Sequence, residues 1–90
     1  MNVLDEAKKI SSQDRQKVYG SPSDDFARAS RLYQPILESD IDPRLKHALL
    51  MIEVKIARLL NTPTHRDSIV DIAGYINCYA MIVEEMNEPR

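Results

Sequence analysis

The sequence predicts an all-α fold, and three observations support this. Apolar residues recur at intervals of three and four along the chain, hardly ever at two, which is the period of helices with one buried face. Asp42 followed by Pro43 is a strong helix start, because Asp caps the helix end and Pro fits the first turn. Thr62-Pro63-Thr64 separates two long helical stretches. A chain of 90 residues has room for one core, so residues 1–90 are expected to form a single domain of four helices.

The N-terminal part of the chain is predicted to contain a short helix and a loop. Residues 2–11 carry one apolar stripe, and Asn2 can cap their helix. Their acidic and basic residues stand at the ends that the helix dipole favours. Residues 14–23 include Gly20 and Pro22 among polar residues, a composition typical of loops. We therefore expect a loop there, with one helical turn as the alternative.

The second helix is expected to begin with Ser23 or Asp24 as its N-cap. Pro35 lies within the same apolar pattern, where a proline removes a backbone donor and clashes with the preceding turn. This helix should therefore either bend at Pro35 or end near Tyr33.

The last two helices are predicted to form a long antiparallel hairpin. The third helix follows Asp42-Pro43, and the fourth covers about residues 65–86 with Thr64 as its cap. The short break between them is typical of helices that pack side by side. Gly74 within the last helix costs about 1 kcal/mol relative to Ala, so another helix or a ligand is expected to cross close to it.

The composition argues against several classes of partner. The net charge is −2 and the longest basic cluster is Lys8-Lys9, whereas proteins that bind nucleic acid usually carry a basic surplus. Cys78 is the one cysteine; it is expected to be a small core residue, with a reactive thiol as the alternative. No apolar run approaches the ~18 residues that span a bilayer, and the N-terminal residues lack a signal-peptide core. We expect no nucleic-acid partner, no membrane partner and a cytoplasmic location.

Residues 55–75 concentrate polar side chains that a plain helical hairpin does not need. Lys55 and Arg58 share one helix face before the proline break, and Asp67 and Asp71 share another after it. One interpretation is a phosphate clamp, in which the lysine supplies a point charge and the arginine a planar set of donors. The other is a set of salt bridges across the hairpin, in which Arg58 reaches the two carboxylates.

The same carboxylates could form a metal site. Mg²⁺ in proteins takes one or two carboxylates together with phosphate oxygens and waters, so Asp67 and Asp71 could hold it beside a nucleotide. The alternative is that Asp67 only stabilises the start of its helix, as in a capping box with Thr64. His65, at the same helix end, is expected to be neutral and to hydrogen-bond either a ligand or the loop.

Arg15 and Tyr19 lie in the predicted loop and also admit two interpretations. As ligand residues, Arg15 would contact a phosphate and Tyr19 would cover a base or ribose. Otherwise Arg15 pairs with Asp14, Asp24 or Asp25 on the surface.

Two blocks of the chain carry a pattern found in a known group of proteins. The first block is Asp14-Arg15, Tyr19-Gly20, Pro22 and Phe26; the second is Lys55-Ile56-Ala57-Arg58, His65-Arg66-Asp67-Ser68 and Asp71-Ile72-Ala73-Gly74-Tyr75. This pattern resembles a family of small bacteriophage and prophage proteins of unknown function, over most of the chain with the spacing kept. The resemblance implies a phage-encoded protein in the host bacterial cytoplasm. The predicted ligand-binding residues all lie within these two blocks. They are Arg15, Tyr19, Lys55, Arg58, His65, Asp67, Asp71 and Tyr75.

The segment Asp71-Ile72-Ala73-Gly74-Tyr75 is also distantly similar to the second acidic helix of MazG-type nucleoside-triphosphate pyrophosphatases. Those enzymes are all-α oligomers in which acidic residues on facing helices hold Mg²⁺ on the phosphates of a nucleotide. Their Glu-Glu-x-x-Glu run is missing here, where Glu53 alone stands near its place beside Lys55 and Arg58. The resemblance therefore implies a nucleotide-type ligand whose phosphates are bound directly by cations.

The expected function is that of a non-catalytic, phage-encoded protein that sequesters a nucleotide or nucleotide-derived signal. Such a protein would counter host defence. One alternative is a Mg²⁺-dependent nucleotide pyrophosphohydrolase that uses Asp67, Asp71 and Glu53. Another is an inhibitor that contacts a host protein through residues 81–86. A homo-oligomer is also expected, because the last two helices carry more apolar surface than a small monomer covers. The residues concerned are Leu45, Leu49, Ile52, Met81, Ile82 and Met86.

Overall fold

The computed structural model describes residues 2–88, and its regular structure over that range is entirely helical. The α-helices are α1 (Val3–Lys9), α2 (Arg15–Tyr19), α3 (Pro22–Glu38), α4 (Pro43–Asn61) and α5 (Arg66–Asn87). A turn of π-helix, Ile10–Asp14, joins α1 to α2, so these two short helices and the turn form one N-terminal arm. The prediction of an all-α fold is confirmed for the described residues.

The predicted loop over residues 14–23 needs correction, because α2 occupies half of it and α3 already begins at Pro22. The alternative of a helical turn within this segment agrees with α2. The N-cap prediction for the arm is correct: the Asp5 backbone N–H donates to Asn2 Oδ1 at 2.9 Å. Beyond α1, the Ser11 hydroxyl donates to the Ala7 carbonyl at 2.7 Å. The helical path therefore widens to a π-turn and continues instead of ending.

The break between α2 and α3 depends on Gly20 and Ser21. Gly20 has φ +78°, a left-handed conformation that ends α2 and that other residues adopt only with strain. Ser21 is the N-cap of α3, since its hydroxyl accepts from the Asp24 N–H at 3.1 Å, and Pro22 follows in the first turn. The predicted cap at Ser23 or Asp24 is therefore wrong. α3 then continues past Pro35 instead of ending near Tyr33.

The two long helices begin differently. α4 starts as predicted, with Asp42 Oδ1 accepting from the Arg44 N–H at 2.8 Å. Thr64 does not cap α5; His65 is the N-cap residue, and it makes no side-chain hydrogen bond to the helix backbone. Its Nδ1 lies 2.8 Å from the hydroxyl of Ser68, so these two side chains at the start of α5 hydrogen-bond to each other.

α4 is the centre of the fold, with α2, α3 and α5 packed against it. The core is built largely from small and branched residues, which let the helices approach closely. These are Ala29, Leu45, Ala48, Ile52 and Ala57. Within residues 2–88, α5 packs on α4 alone. Two ion pairs lie along this contact, Arg44–Glu85 at 3.9 Å and Lys55–Asp71 at 3.0 Å.

Several predictions about apolar residues need correction. Leu45 and Ile52 are buried within the chain, because α4 is covered on several sides, whereas Met81 on α5 is 60% exposed. A Cβ added at Gly74 would meet nothing within 4 Å, so no described element crosses there. Cys78 is exposed and not part of the core. Among the described residues, no helix combines the length and the apolar character needed to cross a membrane.

Candidate functional site

An open cavity of about 380 Å³ lies between the N-terminal arm and α3, next to Arg58 of α4. One part of its wall is apolar and includes Ala7, Ile10 and Phe26. The other part is polar and consists mainly of Arg15, Tyr19, Asp25 and Arg58. An apolar wall with a few convergent polar groups is the usual composition of a small-molecule site.

Tyr19 contacts two arginines on the wall of this cavity. The guanidinium carbon of Arg15 is 5.0 Å from the centroid of the Tyr19 ring, and that of Arg58 is 4.4 Å away. Both distances are within the range of cation–π attraction. Two positively charged side chains, one from α2 and one from α4, thus contact the same aromatic ring at the cavity.

Hydrogen bonds from the end of α4 fix the position of Tyr19. Asn61 Nδ2 donates to the Val18 carbonyl at 2.7 Å, and the Thr62 hydroxyl donates to the same carbonyl. His65 packs against the Tyr19 ring edge-to-face, with ring centroids 5.4 Å apart. The C-terminal end of α2 is therefore attached to the turn between α4 and α5, which brings Arg15 to the cavity.

Two buried polar atoms of the cavity wall have no hydrogen-bond partner among the described residues. They are Arg58 Nε and Asp25 Oδ1. An unpaired buried polar group ordinarily costs about 1–3 kcal/mol, so such atoms are rare in folded proteins. An unpaired donor and an unpaired acceptor therefore belong to two residues that line the same cavity.

Glu53 on α4 is a third buried group without a partner. Its residue surface is 2% exposed, and neither carboxyl oxygen is hydrogen-bonded within the described part of the chain. Burial, together with the nearby charge of Asp25, raises the pKa of Glu53 from 4.5 to about 7. The carboxyl group is therefore close to half protonated near neutral pH.

The sequence places both acidic residues on apolar helix faces, and this position is a signal that they are buried. Asp25 shares a helix face with Ala29 and Leu32, and Glu53 directly follows Ile52 of the apolar stripe of α4. A carboxylate on a buried face is unusual, and it often marks a functional position.

The structure brings together some of the predicted ligand residues and separates others. Arg15, Tyr19 and Arg58 line the cavity, and His65 contacts the Tyr19 ring without being among the lining residues. Whether these residues bind a ligand stays a prediction. The expectation that Arg58 reaches the carboxylates of α5 is wrong, because its guanidinium stacks on Tyr19 instead.

Lys55 and Asp71 follow the alternative interpretation and form a salt bridge at 3.0 Å. Asp67 is exposed and Tyr75 is half-buried, and neither is among the described residues of the cavity wall. The predicted Mg²⁺ site at Asp67 and Asp71 gains no support from a third ligand, since the side chains that the structure describes form no group of three or more potential metal ligands.

Comparison with known proteins identifies the family. Residues 2–83 match the family model described as "Domain of unknown function (DUF6378)", and the chain belongs to this family. It is 41% identical over 91 residues to the Gene 55 protein of Mycobacterium phage D29, a match that covers 99% of this chain and 60% of that protein. It is 32% identical over 90 residues to the Gene 55 protein of Mycobacterium phage L5, covering 100% of this chain and 55% of that protein.

The predicted resemblance to a family of small phage proteins is confirmed by these relatives. The chain spans little more than half the length of the two Gene 55 proteins. No solved structure matches the chain.

Proposed function

We propose that this domain binds a small nucleotide-type ligand in the cavity between the N-terminal arm, α3 and α4, without chemical turnover. The observation that carries the proposal is that Arg15 and Arg58 both contact the Tyr19 ring on the cavity wall. Two guanidinium groups on the wall of one cavity attract an anion with two or more negative oxygens, as a phosphate provides.

The free Nε of Arg58 supports a phosphate at this position. A guanidinium carries several donors in one plane, and here the described residues leave Nε without an acceptor. A phosphate oxygen would satisfy this atom and would also offset the repulsion between Arg58 and Arg15. Binding would thus remove a cost that the unliganded protein carries.

The apolar wall supports a base or ribose in the same cavity. Phe26 is 69% exposed although it lines the cavity, so its ring is available for stacking on a ligand. The volume of about 380 Å³ lies at the small end of the range of typical ligand sites. A mononucleotide suits this space better than a long polyphosphate or an oligonucleotide.

The biological role is part of the same proposal. A phage protein that holds a nucleotide-derived signal in the cytoplasm of an infected bacterium would lower the free concentration of that signal. Such sequestration would counter a host defence that depends on it. Sequestration requires tight binding and a protein concentration above that of the signal, but no catalytic group.

Isothermal titration calorimetry tests the proposal directly. The panel contains nucleoside mono-, di- and triphosphates, cyclic nucleotides and inorganic phosphate. Arg58→Ala is expected to weaken the best ligand about 10- to 100-fold, the usual effect of losing hydrogen bonds to a charged group. Arg66→Ala is the matched control, because Arg66 is an exposed arginine at the start of α5. Absence of binding across the panel, or equal losses in both variants, would contradict the proposal.

The alternative is a Mg²⁺-dependent pyrophosphohydrolase of the MazG type, which would need a carboxylate such as Glu53 together with Asp67 and Asp71. The buried, unpaired carboxyl group of Glu53 is the observation in its favour, but Glu53 is close to Asp25, and the described side chains form no group of three potential metal ligands. Release of pyrophosphate or phosphate that requires Mg²⁺ and is lost in Asp71→Asn would favour this alternative. Intact nucleotide after long incubation would reject it.

A homo-oligomer would bury the apolar residues that α5 exposes. In this proposal α4 and α5 form the predicted antiparallel hairpin, and the outer face of α5 contacts a second copy of the chain. The ion pairs Arg44–Glu85 and Lys55–Asp71 support that orientation. Ile76 and Met81 are 49% and 60% exposed on α5. Light scattering after size exclusion should give a multiple of 10.3 kDa, and Ile76→Glu should reduce it to the monomer mass. A wild-type monomer would reject the oligomer.

A host protein is the competing partner for this region. Met81 and Met86 leave apolar surface beside Glu84 and Glu85 at the end of α5. Truncation after Tyr79 distinguishes the two, since an inhibitor of a host protein would lose its partner while its helical content and oligomeric state are preserved.

A further inference from the structure

We infer that Asp25 is a specificity-determining residue of the cavity, which accepts a hydrogen bond from an amino group on the base of the bound nucleotide. The inference rests on the proposed function and adds the class of base that the site selects.

Asp25 and the two cations come from different helices of the cavity wall. Asp25 lies on α3 beside Phe26 and near Pro22, both of which line the cavity, whereas the guanidinium groups come from α2 and α4. A carboxylate repels a phosphate, so a nucleotide would place its phosphate at the arginines and its uncharged part at α3. The edge of the base is therefore the part of the ligand that faces Asp25.

The buried Oδ1 atom of Asp25 has no hydrogen-bond donor among the described residues, so a bound ligand could supply one. Asp25 is 8% exposed, and its Oδ1 accepts no hydrogen bond from the described residues. A carboxylate accepts hydrogen bonds and donates none, so its complement is an N–H or O–H group. Adenine, guanine and cytosine carry amino groups on their edges, whereas uracil carries none.

The position of Asp25 has no structural explanation in the helix start. Acidic residues in a first helical turn are favourable because of the helix dipole, and the exposed Asp24 already supplies such a charge to α3. Asp25 adds a second carboxyl group that is buried and lies close enough to Glu53 to perturb it. A buried acceptor kept without a partner is destabilising, and its retention is explained if a ligand supplies the missing donor.

Two matched pairs of ligands test the inference by calorimetry. Adenosine monophosphate is compared with purine riboside monophosphate, and guanosine monophosphate with inosine monophosphate, because each pair differs by one amino group. The wild-type protein is expected to bind at least one amino-bearing member about tenfold or more tightly than its partner. Asp25→Ala should reduce that ratio to about one, and the control Asp24→Ala should leave it unchanged.

Asp25→Asn provides a second variant that preserves the shape of the side chain. It removes a buried charge next to Glu53 but keeps an acceptor oxygen, so its Tm should be equal to or higher than that of the wild type, and its preference for the amino-bearing ligand should fall less than in Asp25→Ala. An intact preference in Asp25→Ala would show a merely structural role and overturn the inference.

The remaining outcomes separate this inference from the proposed function. Equal binding within both pairs, with affinity still dependent on Arg58, would overturn the role of Asp25 and leave nucleotide binding in place. A third outcome is an affinity that falls when the ligand lacks the 2′-hydroxyl of the ribose and stays the same when it lacks the amino group of the base. That result would assign Asp25 to the ribose and overturn the inference. Failure of every nucleotide to bind would overturn the inference together with the proposed function.

Discussion

Replacement of Glu53 by Gln should make the protein more stable at neutral and alkaline pH. The side chain of Glu53 is buried, and neither carboxyl oxygen has a partner among the described residues. Glutamine has nearly the same shape but carries no charge. The substitution therefore removes the cost of a buried carboxylate facing Asp25, while the packing of α4 is kept.

The size of the effect follows from the shift in pKa. The pKa of Glu53 is about 7 in the folded protein against 4.5 as the ordinary value. A difference of one pH unit corresponds to 1.36 kcal/mol, so ionisation of Glu53 lowers the free energy of unfolding by up to about 3 kcal/mol. Because the folded pKa is the higher one, the cost is absent below 4.5, grows as the pH rises, and is complete above about 7.

Urea unfolding followed by circular dichroism from about pH 5 to about pH 8 measures this dependence. The difference between Glu53→Gln and the wild type should grow with pH and reach its maximum at the alkaline end. Taking the difference cancels the titration of the histidines and of other groups that both proteins share. A difference that is constant with pH, or a variant that is less stable at pH 8, would refute a buried carboxylate with a raised pKa.

Three further substitutions test how the cavity is built. Asn61→Ala removes a hydrogen bond to the Val18 carbonyl, so it should cost about 1 kcal/mol of unfolding free energy and weaken the affinity for the nucleotide measured by calorimetry. Lys55→Met breaks a partly exposed pair with Asp71 and should cost at most about 1 kcal/mol, with affinity unchanged; a marked loss of affinity would return Lys55 to the ligand site. Gly20→Ala should lower the Tm, since φ is +78° and the added Cβ would lie 3.3 Å from Asn61 Oδ1; an unchanged Tm would contradict this geometry.

The long helices could be predicted because their start signals are local. Asp42 and Pro43 act on the turn that follows them, and the hydrogen bond from the Arg44 N–H to Asp42 forms within that turn. The short helix α2 could not be predicted in this way. It is held by Asn61 and Thr62, far along the chain from Val18, and no pattern within residues 14–23 reports such a contact.

The candidate site was predicted in part for the same reason. The sequence places the cation Arg58 next to the apolar stripe of α4, and charge alone predicts a carboxylate partner across the hairpin. In the structure the arm carries Tyr19 to the Arg58 guanidinium, and a cation–π contact takes the place of the ion pair. Lys55 does meet Asp71, because both lie on the contact between α4 and α5, which spacing within two helices can predict.

The distribution of unsatisfied polar atoms is the strongest argument that this cavity is functional. Within the described part of the chain, the buried side-chain atoms without a hydrogen-bond partner belong to Asp25, Glu53 and Arg58. Two of these residues line the same cavity, and the third is perturbed by one of them. Random imperfections of packing would be scattered over α3, α4 and α5. Their concentration at one place, with both a donor and an acceptor, is the pattern expected where a ligand completes the structure.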